Sequence, residues 1–211
     1  MKPMLAAGLS CCALLSAAHG QSFNEPRAWI RPLLGVGYSL GGQTLLPVTL
    51  VPEGTTTQYK EDVSAGAGIE LTAGLVLQVP RTPFSVKATL GHHVDGVHGI
   101  SARASFWRTP FEGGLQWHVN ERATVGMGMR HAVRAKFNAK VEDCGSQGVT
   151  CADSYWLAGS YGWYLEGEWA ASRNWGLRLQ AVHESFTVKP PRESHTYKGD
   201  HVGVMSIFYF N

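Results

Sequence analysis

The sequence predicts an all-β fold, an antiparallel up-and-down transmembrane β-barrel of about eight strands. Three observations predict it. Residues 63–79 read V-S-A-G-A-G-I-E-L-T-A-G-L-V-L-Q-V, so Val63, Ala65, Ala67, Ile69, Leu71, Ala73, Leu75, Leu77 and Val79 alternate with Ser64, Gly66, Gly68, Glu70, Thr72, Gly74, Val76 and Gln78. Successive strand side chains point to opposite sides, which makes this one long strand with an apolar face and a small, polar face. The composition of the polar face is the second observation. A soluble barrel would load its water-facing side with lysine and glutamate, whereas here it is mostly glycine, serine and threonine with isolated charges, as a narrow lumen demands. Third, long and turn-sized connections alternate along the chain, the asymmetry of membrane barrels with short inner turns and longer external loops.

At the N-terminus, Lys2 precedes an apolar run over 4–18 and then Ala18-His19-Gly20, which reads as a signal peptide over 1–20 ahead of a barrel domain over 21–211. Lipid attachment at Cys11 or Cys12 fits poorly, because Gly8-Leu9-Ser10 stand before them. No later stretch reaches about 18 apolar residues, so a spanning structure must be a closed barrel. Charged residues make up 16% of the chain, against about 25% in soluble domains. A net charge of +2 without a basic run of interleaved aromatics argues against nucleic acid as a partner. Mean hydropathy of -0.10 fits a barrel, which dilutes its lipid face with an equal polar face and polar loops.

The first strand spans 29–40, with Ile30, Leu34, Val36, Tyr38 and Leu40 opposed to Gly35, Gly37 and Ser39. A long loop over 41–62 leads to the 63–79 strand, and 80–83 is a turn. From Phe84, a third strand sets Phe84, Val86, Ala88 and Leu90 against Ser85, Lys87, Thr89 and Gly91, and ends at 92–96. A fourth over 100–117 carries Phe111, Leu115 and Trp117 on one side, Glu112, Gly114 and Gln116 on the other, with Pro110 marking a bulge. After the turn 119–122, a fifth opposes Val125, Met127 and Met129 to Gly126, Gly128 and Arg130, and a cysteine loop follows. The sixth, 155–169, sets Tyr161, Trp163, Leu165 and Trp169 against Gly162, Tyr164, Glu166 and Glu168. Beyond the turn 171–174, Trp175, Leu177, Leu179 and Ala181 oppose Gly176, Arg178 and Gln180, and after a polar loop over 189–200 the last strand carries Val202, Val204, Phe208 and Phe210. Trp117, Trp169 and Trp175 all flank the short turns, where indole rings suit a lipid interface.

Over 29–211 the chain resembles the small outer-membrane β-barrel superfamily of Gram-negative bacteria, the outer-membrane protein A and protein X type barrels. The resemblance rests on the strand pattern, on Gly-Trp-Tyr-Leu-Glu-Gly-Glu-Trp at 162–169, and on the ending Phe208-Tyr209-Phe210-Asn211. It implies residence in the cell outer membrane and contact with outer-membrane lipid and lipopolysaccharide. It also implies reading of the terminal aromatic strand by the barrel-assembly machinery, although here Asn211 follows Phe210. Members include adhesins, structural anchors, small pores and lipid A enzymes, so the resemblance specifies architecture more than function.

Several residue sets are candidates for function. Glu70, Lys87, Arg103, Glu112, Arg130, Glu166, Glu168, Arg178 and Glu184 are expected to face the lumen, where charges out of bulk water must pair or be hydrated. They read as a salt-bridge network that plugs the barrel, with a conducting lining as the alternative. Cys144 and Cys151 bracket a short polar segment and, in an exported chain, are expected to form a disulfide; no histidine stands close enough to favour zinc. His183 and Ser185 share a face near the outer end of the seventh strand. By resemblance to lipid A 3-O-deacylases they would be base and nucleophile, with Glu193 or Asp200 as orienter, but Phe186 stands where those enzymes usually carry asparagine. His92, His93, Asp95 and His98 cluster in sequence, yet His92 and His93 face opposite sides of a strand, and no metal or other cofactor is expected. The expected function is that of a monomeric outer-membrane barrel with a structural, adhesive or interaction role, its external loops meeting an extracellular partner. A small pore and a lipid A hydrolase are the alternatives.

Overall fold

A strand inside a membrane has no water to satisfy its backbone, so its N–H and C=O groups must find other strands on both sides. The structure, a computed structural model, describes residues 29–50, 59–98, 102–141, 151–190 and 194–210. Its strands are β1 (Ile30–Gly41), β2 (Thr44–Leu50), β3 (Tyr59–Ser64), β4 (Gly68–Gln78), β5 (Phe84–His98), β6 (Ala102–His118), β7 (Ala123–Val141), β8 (Cys151–Gly159), β9 (Tyr161–Ala170), β10 (Trp175–His183), β11 (Ser185–Val188), β12 (Thr196–Lys198) and β13 (His201–Tyr209). The ring runs β1-β4-β5-β6-β7-β9-β10-β13 and returns to β1, every pair antiparallel. Closure removes every edge from this eight-stranded barrel. Beyond the ring, β7 leaves β9 and pairs with β8 from Ala135 to Val141, and β8, β11 and β12 continue the sheet outward.

The alternation places side chains as the sequence predicts over most of the ring. Leu34, Val36, Tyr38, Ile69, Leu71, Leu75, Val86, Leu90, Met127, Leu165, Leu179 and Val204 are all exposed, while Glu70, Lys87, Glu112, Arg130, Glu166 and Arg178 are buried. Charge inside and aliphatic surface outside is the inverse of a soluble barrel. From Phe84 to Val94 the outward row, apolar except for His92, covers ten strand steps; at about 3.4 Å each and a tilt of about 40° this is roughly 26 Å, against an apolar band of roughly 25 Å in membrane barrels.

The structure departs from the sequence reading in five places. The expected sixth strand over 155–169 is broken at Ser160 into β8 and β9, with the inward side changing from Leu157 to Gly162 and Tyr164 across the break. Residues 63–79 are not one strand. The chain breaks between β3 and β4, and Gly68 takes φ +122°, a conformation that L side chains rarely adopt. Val63 and Ala65, expected on the lipid face, therefore turn inward and are fully buried. Within the expected loop over 41–62, β2 and β3 form a hairpin of their own. The third strand continues to His98, and the fifth runs on to Val141, giving β7 19 residues where β4 has 11. Arg134, Lys136 and Lys140 face outward along the end of β7, and its other side is apolar. Ala135 and Phe137 join Val63, Ala65, Ala104, Phe106, Leu157, Phe186 and Val188 in a buried cluster over the outer mouth of the barrel. Cys144 and the signal segment lie outside the described residues, and with Cys144 the expected disulfide to Cys151.

Leu179 lies midway along β10, faces outward and is paired with Val204. The Leu179→Arg variant is expected to lose roughly 2–4 kcal/mol of folding free energy in urea titrations in lipid bilayers. An unchanged midpoint would mean that this face does not meet hydrocarbon.

Candidate functional site

The inward residues of neighbouring strands stand opposite one another, so the backbone register decides which charges meet. Glu112 is opposite Arg130, Glu168 opposite Arg178, Glu70 opposite His93, and His93 opposite Arg108. These pairs are linked across the lumen into one chain. From the inner end, the Tyr209 hydroxyl donates to Glu168 Oε1 at 2.6 Å, and Arg178 reaches Glu168 at 3.0 Å and Glu166 at 3.5 Å. Lys87 Nζ bonds Glu166 at 2.5 Å and lies 3.6 Å from Glu112, and Arg130 contacts Glu112 at 2.6 Å and Glu70 at 3.3 Å. At the outer end Glu184 lies 3.3 Å from Arg108 Nε and 3.4 Å from Arg130 Nε, held by charge without a well-directed hydrogen bond.

Neutral side chains complete the packing. Gln116 donates to Glu166 at 2.9 Å, while Gln180 and Thr89 donate to Glu112. The Tyr164 ring lies under Lys87, its centroid 4.6 Å from Nζ. It fits because Gly114 and Gly128 lie beside it in the register, and a Cβ on either would collide with its hydroxyl. The void between Ser39, Glu70, Gln180 and His201 is about 10 Å³, no more than a single water. Charges without room for hydration must pair, and here their signs alternate along the barrel axis.

Arg103 is a correction to the sequence reading. It stands an odd number of residues from Glu112 on β6 and is exposed on the outward face. Arg108, four residues before Glu112 and on its side of the strand, is the cation inside, and the sequence reading passed over it. Arg108 also donates to the Ala65 carbonyl and approaches His93 Nδ1 at 2.7 Å. With Arg108 donating to Nδ1, the His93 proton sits on Nε2, from which it donates toward Ser39 Oγ and the Ala67 carbonyl, each at 3.0 Å. Ser39 accepts consistently, since its own hydroxyl donates to Gly66 O at 2.7 Å.

Glu70, His93 and His201 bring three potential metal-ligand atoms within 4.8 Å of one another. A cation does not fit them. Both His93 nitrogens are engaged, His201 Nδ1 donates to Gly199 O at 2.7 Å, and the guanidinium groups of Arg108 and Arg130 border the cluster. His92 is exposed on the opposite side of β5 from His93, against Trp107, and Asp95 accepts a hydrogen bond from Ser64 N at 2.7 Å. The side chain of His98 lies outside the described residues.

At the outer end of β10, His183 Nδ1 lies 2.9 Å from Asp200 Oδ1, and its ring tilts against Trp163 with centroids 5.5 Å apart. Ser185 is on the same face, but its hydroxyl donates to Ser160 Oγ at 3.0 Å. The fold thus brings base and carboxylate together and turns the serine to another partner. Glu193, the other candidate orienter, lies outside the described residues.

No protein-family model matches the chain. No curated protein sequence matches it either. Among solved structures it is similar to the attachment invasion locus protein Ail of Yersinia pestis, at 12% identity over 85% of this chain and 96% of that one, with a TM-score of 0.48. It is similar also to Neisserial surface protein A, at 10% identity over 88% and 97% with a TM-score of 0.40. The outer-membrane protein OprG of Pseudomonas aeruginosa gives 10% identity over 87% and 97%, with a TM-score of 0.40.

Removing one member of a buried ion pair leaves an uncompensated charge, at a cost of about 3–5 kcal/mol. Lys87→Met is therefore expected to lower unfolding stability by that amount. In the double variant Lys87→Met with Glu166→Leu, most of the loss is expected to return. Additive losses in a urea double-mutant cycle would contradict the Lys87–Glu166 contact.

Proposed function

We propose that this chain is a monomeric outer-membrane anchor whose closed barrel holds an ordered external sheet in position for contact with an extracellular partner. One observation carries the reading. The lumen is filled along its length by the ion-pair chain from Glu168 to Arg108 and covered at its outer mouth by the Val63, Phe106 and Phe186 cluster, so the barrel offers no passage. Above it, β6, β7 and β8 extend past the apolar band beside the β2–β3 hairpin. Chain length invested beyond the bilayer, over a closed interior, supports display rather than transport. Residues 1–20 serve as the export signal in this reading, and β13 with its aromatic residues presents the strand that the barrel-assembly machinery takes up.

Planar-bilayer recordings of the refolded chain are expected to show no discrete conductance steps. A reproducible population of steps would replace the anchor by the small pore. Cells displaying the chain are expected to adhere to immobilised matrix proteins or glycans more than cells without it, and deletion of 44–64 should remove the difference. If adhesion on every surface is the same with and without the chain, the interaction role fails.

The His183–Asp200 pair supports the lipid A hydrolase as a second reading. Mass spectrometry of lipid A from cells with and without the gene separates the two. The anchor reading expects identical acylation, and loss of one acyl chain that is abolished in His183→Ala would establish the hydrolase.

A further inference from the structure

On the outward wall of the barrel an apolar groove meets a group of cations and indole rings. The groove, about 580 Å³, crosses β1, β4, β5 and β6 and is lined in part by Leu34, Ala73, Leu90, Gly91, His92 and Thr109. It exists because the small side chain of Ala73, between Leu71 and Leu75, interrupts the row of bulky outward residues on β4. Its upper end is set by the register: Thr109 stands opposite Arg134 and Trp107 opposite Lys136, while Lys136 stands opposite Trp156 on the far side of β7. The His92 ring lies 6.0 Å from that of Trp107, Trp107 lies 5.6 Å from Trp156, and Lys136 Nζ lies 5.5 Å from the Trp156 ring. Arg103 and Lys140 stand opposite one another farther out on the same face.

This face is chemically one-sided. Among the described residues of β6, β7 and β8 no carboxylate stands on the outward side. Asp153, the acid of this region, is opposite Ala139, whose side packs toward the buried cluster. Arg134 and Lys136 are two positions apart on one strand, a spacing of about 6.8 Å. Through Trp107, Lys136 is in register with Val94, the last residue of the outward apolar row, which puts the two cations at the outer limit of that row, where indole rings suit a lipid interface and lipid phosphates begin.

We propose that this wall is a binding site for one molecule of a phosphorylated glycolipid of the outer leaflet, of the lipid A type. An acyl chain occupies the groove, and phosphate on the sugar headgroup is held by Arg134 and Lys136 with the faces of Trp107 and Trp156 beside it. The groove supplies apolar contact that an ordinary annular lipid would find anywhere on the barrel, and the paired cations at its end select a headgroup with more than one anionic group. The site rests on the outer-membrane placement proposed above.

Native mass spectrometry of the full-length mature chain, released from detergent micelles containing bis-phosphorylated lipid A, tests it. A single retained lipid A is expected. The double variant Arg134→Ala with Lys136→Ala should lower the bound fraction at least about tenfold, and Ala73→Trp, which fills the groove without changing charge, should lower it as well. Arg81→Ala, at an inner turn, should bind as the parent does. Each variant is first shown to be folded by its heat-modifiable migration. Equal retention by the parent and both site variants would overturn the site, as would equal retention of dephosphorylated lipid A or phosphatidylglycerol. Binding of a soluble sulfated glycan without binding of lipid A would also overturn it and make the face a surface for extracellular polyanions. A folded, non-conducting barrel that retains no lipid A would defeat this inference alone and leave the anchor reading intact.

Discussion

The need to pair every charge that is withdrawn from water governs the interior of this barrel. Eight strands enclose a lumen too narrow to hydrate ionised side chains, so each inward carboxylate is answered by a cation on an adjacent or facing strand. Five glutamates and four cations meet in a continuous sequence of contacts from Glu168 to Arg108. A buried pair of this kind is weak evidence for net stability, since well-packed apolar residues could serve as well. What it supplies is register: a strand shifted by one residue would carry its charges to the lipid and its aliphatic groups into the ion chain, a change unfavourable on both faces.

The outer part of the molecule obeys the opposite chemistry. Above the ion chain the lumen becomes apolar, and Phe106 and Phe186 meet edge to face with centroids 5.2 Å apart. Arg108 is the boundary between the two regimes. Its guanidinium carbon is 5.5 Å from the centroid of each of those rings, while its nitrogens serve Glu184, His93 and the Ala65 carbonyl. Through Ala65, the link from β3 to β4 is tied directly to the ion chain, so the hairpin belongs to the closure of the barrel as well as to its exterior. A lipid site on the outer wall would share β6 and β7 with this closure, since Phe106 and Phe137 point inward from the same strands that carry Trp107 and Lys136 outward.

How far the sequence could be read depended on the range of the interaction concerned. Leu34, Val36 and Tyr38 declare the lipid face of β1 by alternation alone. Lys87, Arg130 and Arg178 declare the lumen in the same way, because strand geometry fixes the side of a residue from its parity. Parity also excluded Arg103 from the lumen and admitted Arg108, but a bulge expected at Pro110 reverses the sides of the residues before it, whereas the unpaired residue of that irregularity is Val133 on β7 and the alternation of β6 runs unbroken. The Glu70, His93 and Arg108 group was harder to see. Its members come from three strands, and only their lateral order places them at one height.

By itself, then, the sequence determined the membrane-spanning barrel, its approximate strand count, the placement of the short turns and the side of most ring residues. These follow from a two-residue period and from turn chemistry, which are local. Tertiary structure alone decided that Lys87 reaches Glu166 across the lumen and that Val63 and Ala65 fold over the mouth instead of facing lipid. It also decided that β7 continues to Val141 on the strength of its buried Ala135 and Phe137 side, and that His183 meets Asp200 while Ser185 meets Ser160. Each of these depends on strand order, bulges and twist around the closed ring, and no local period encodes them.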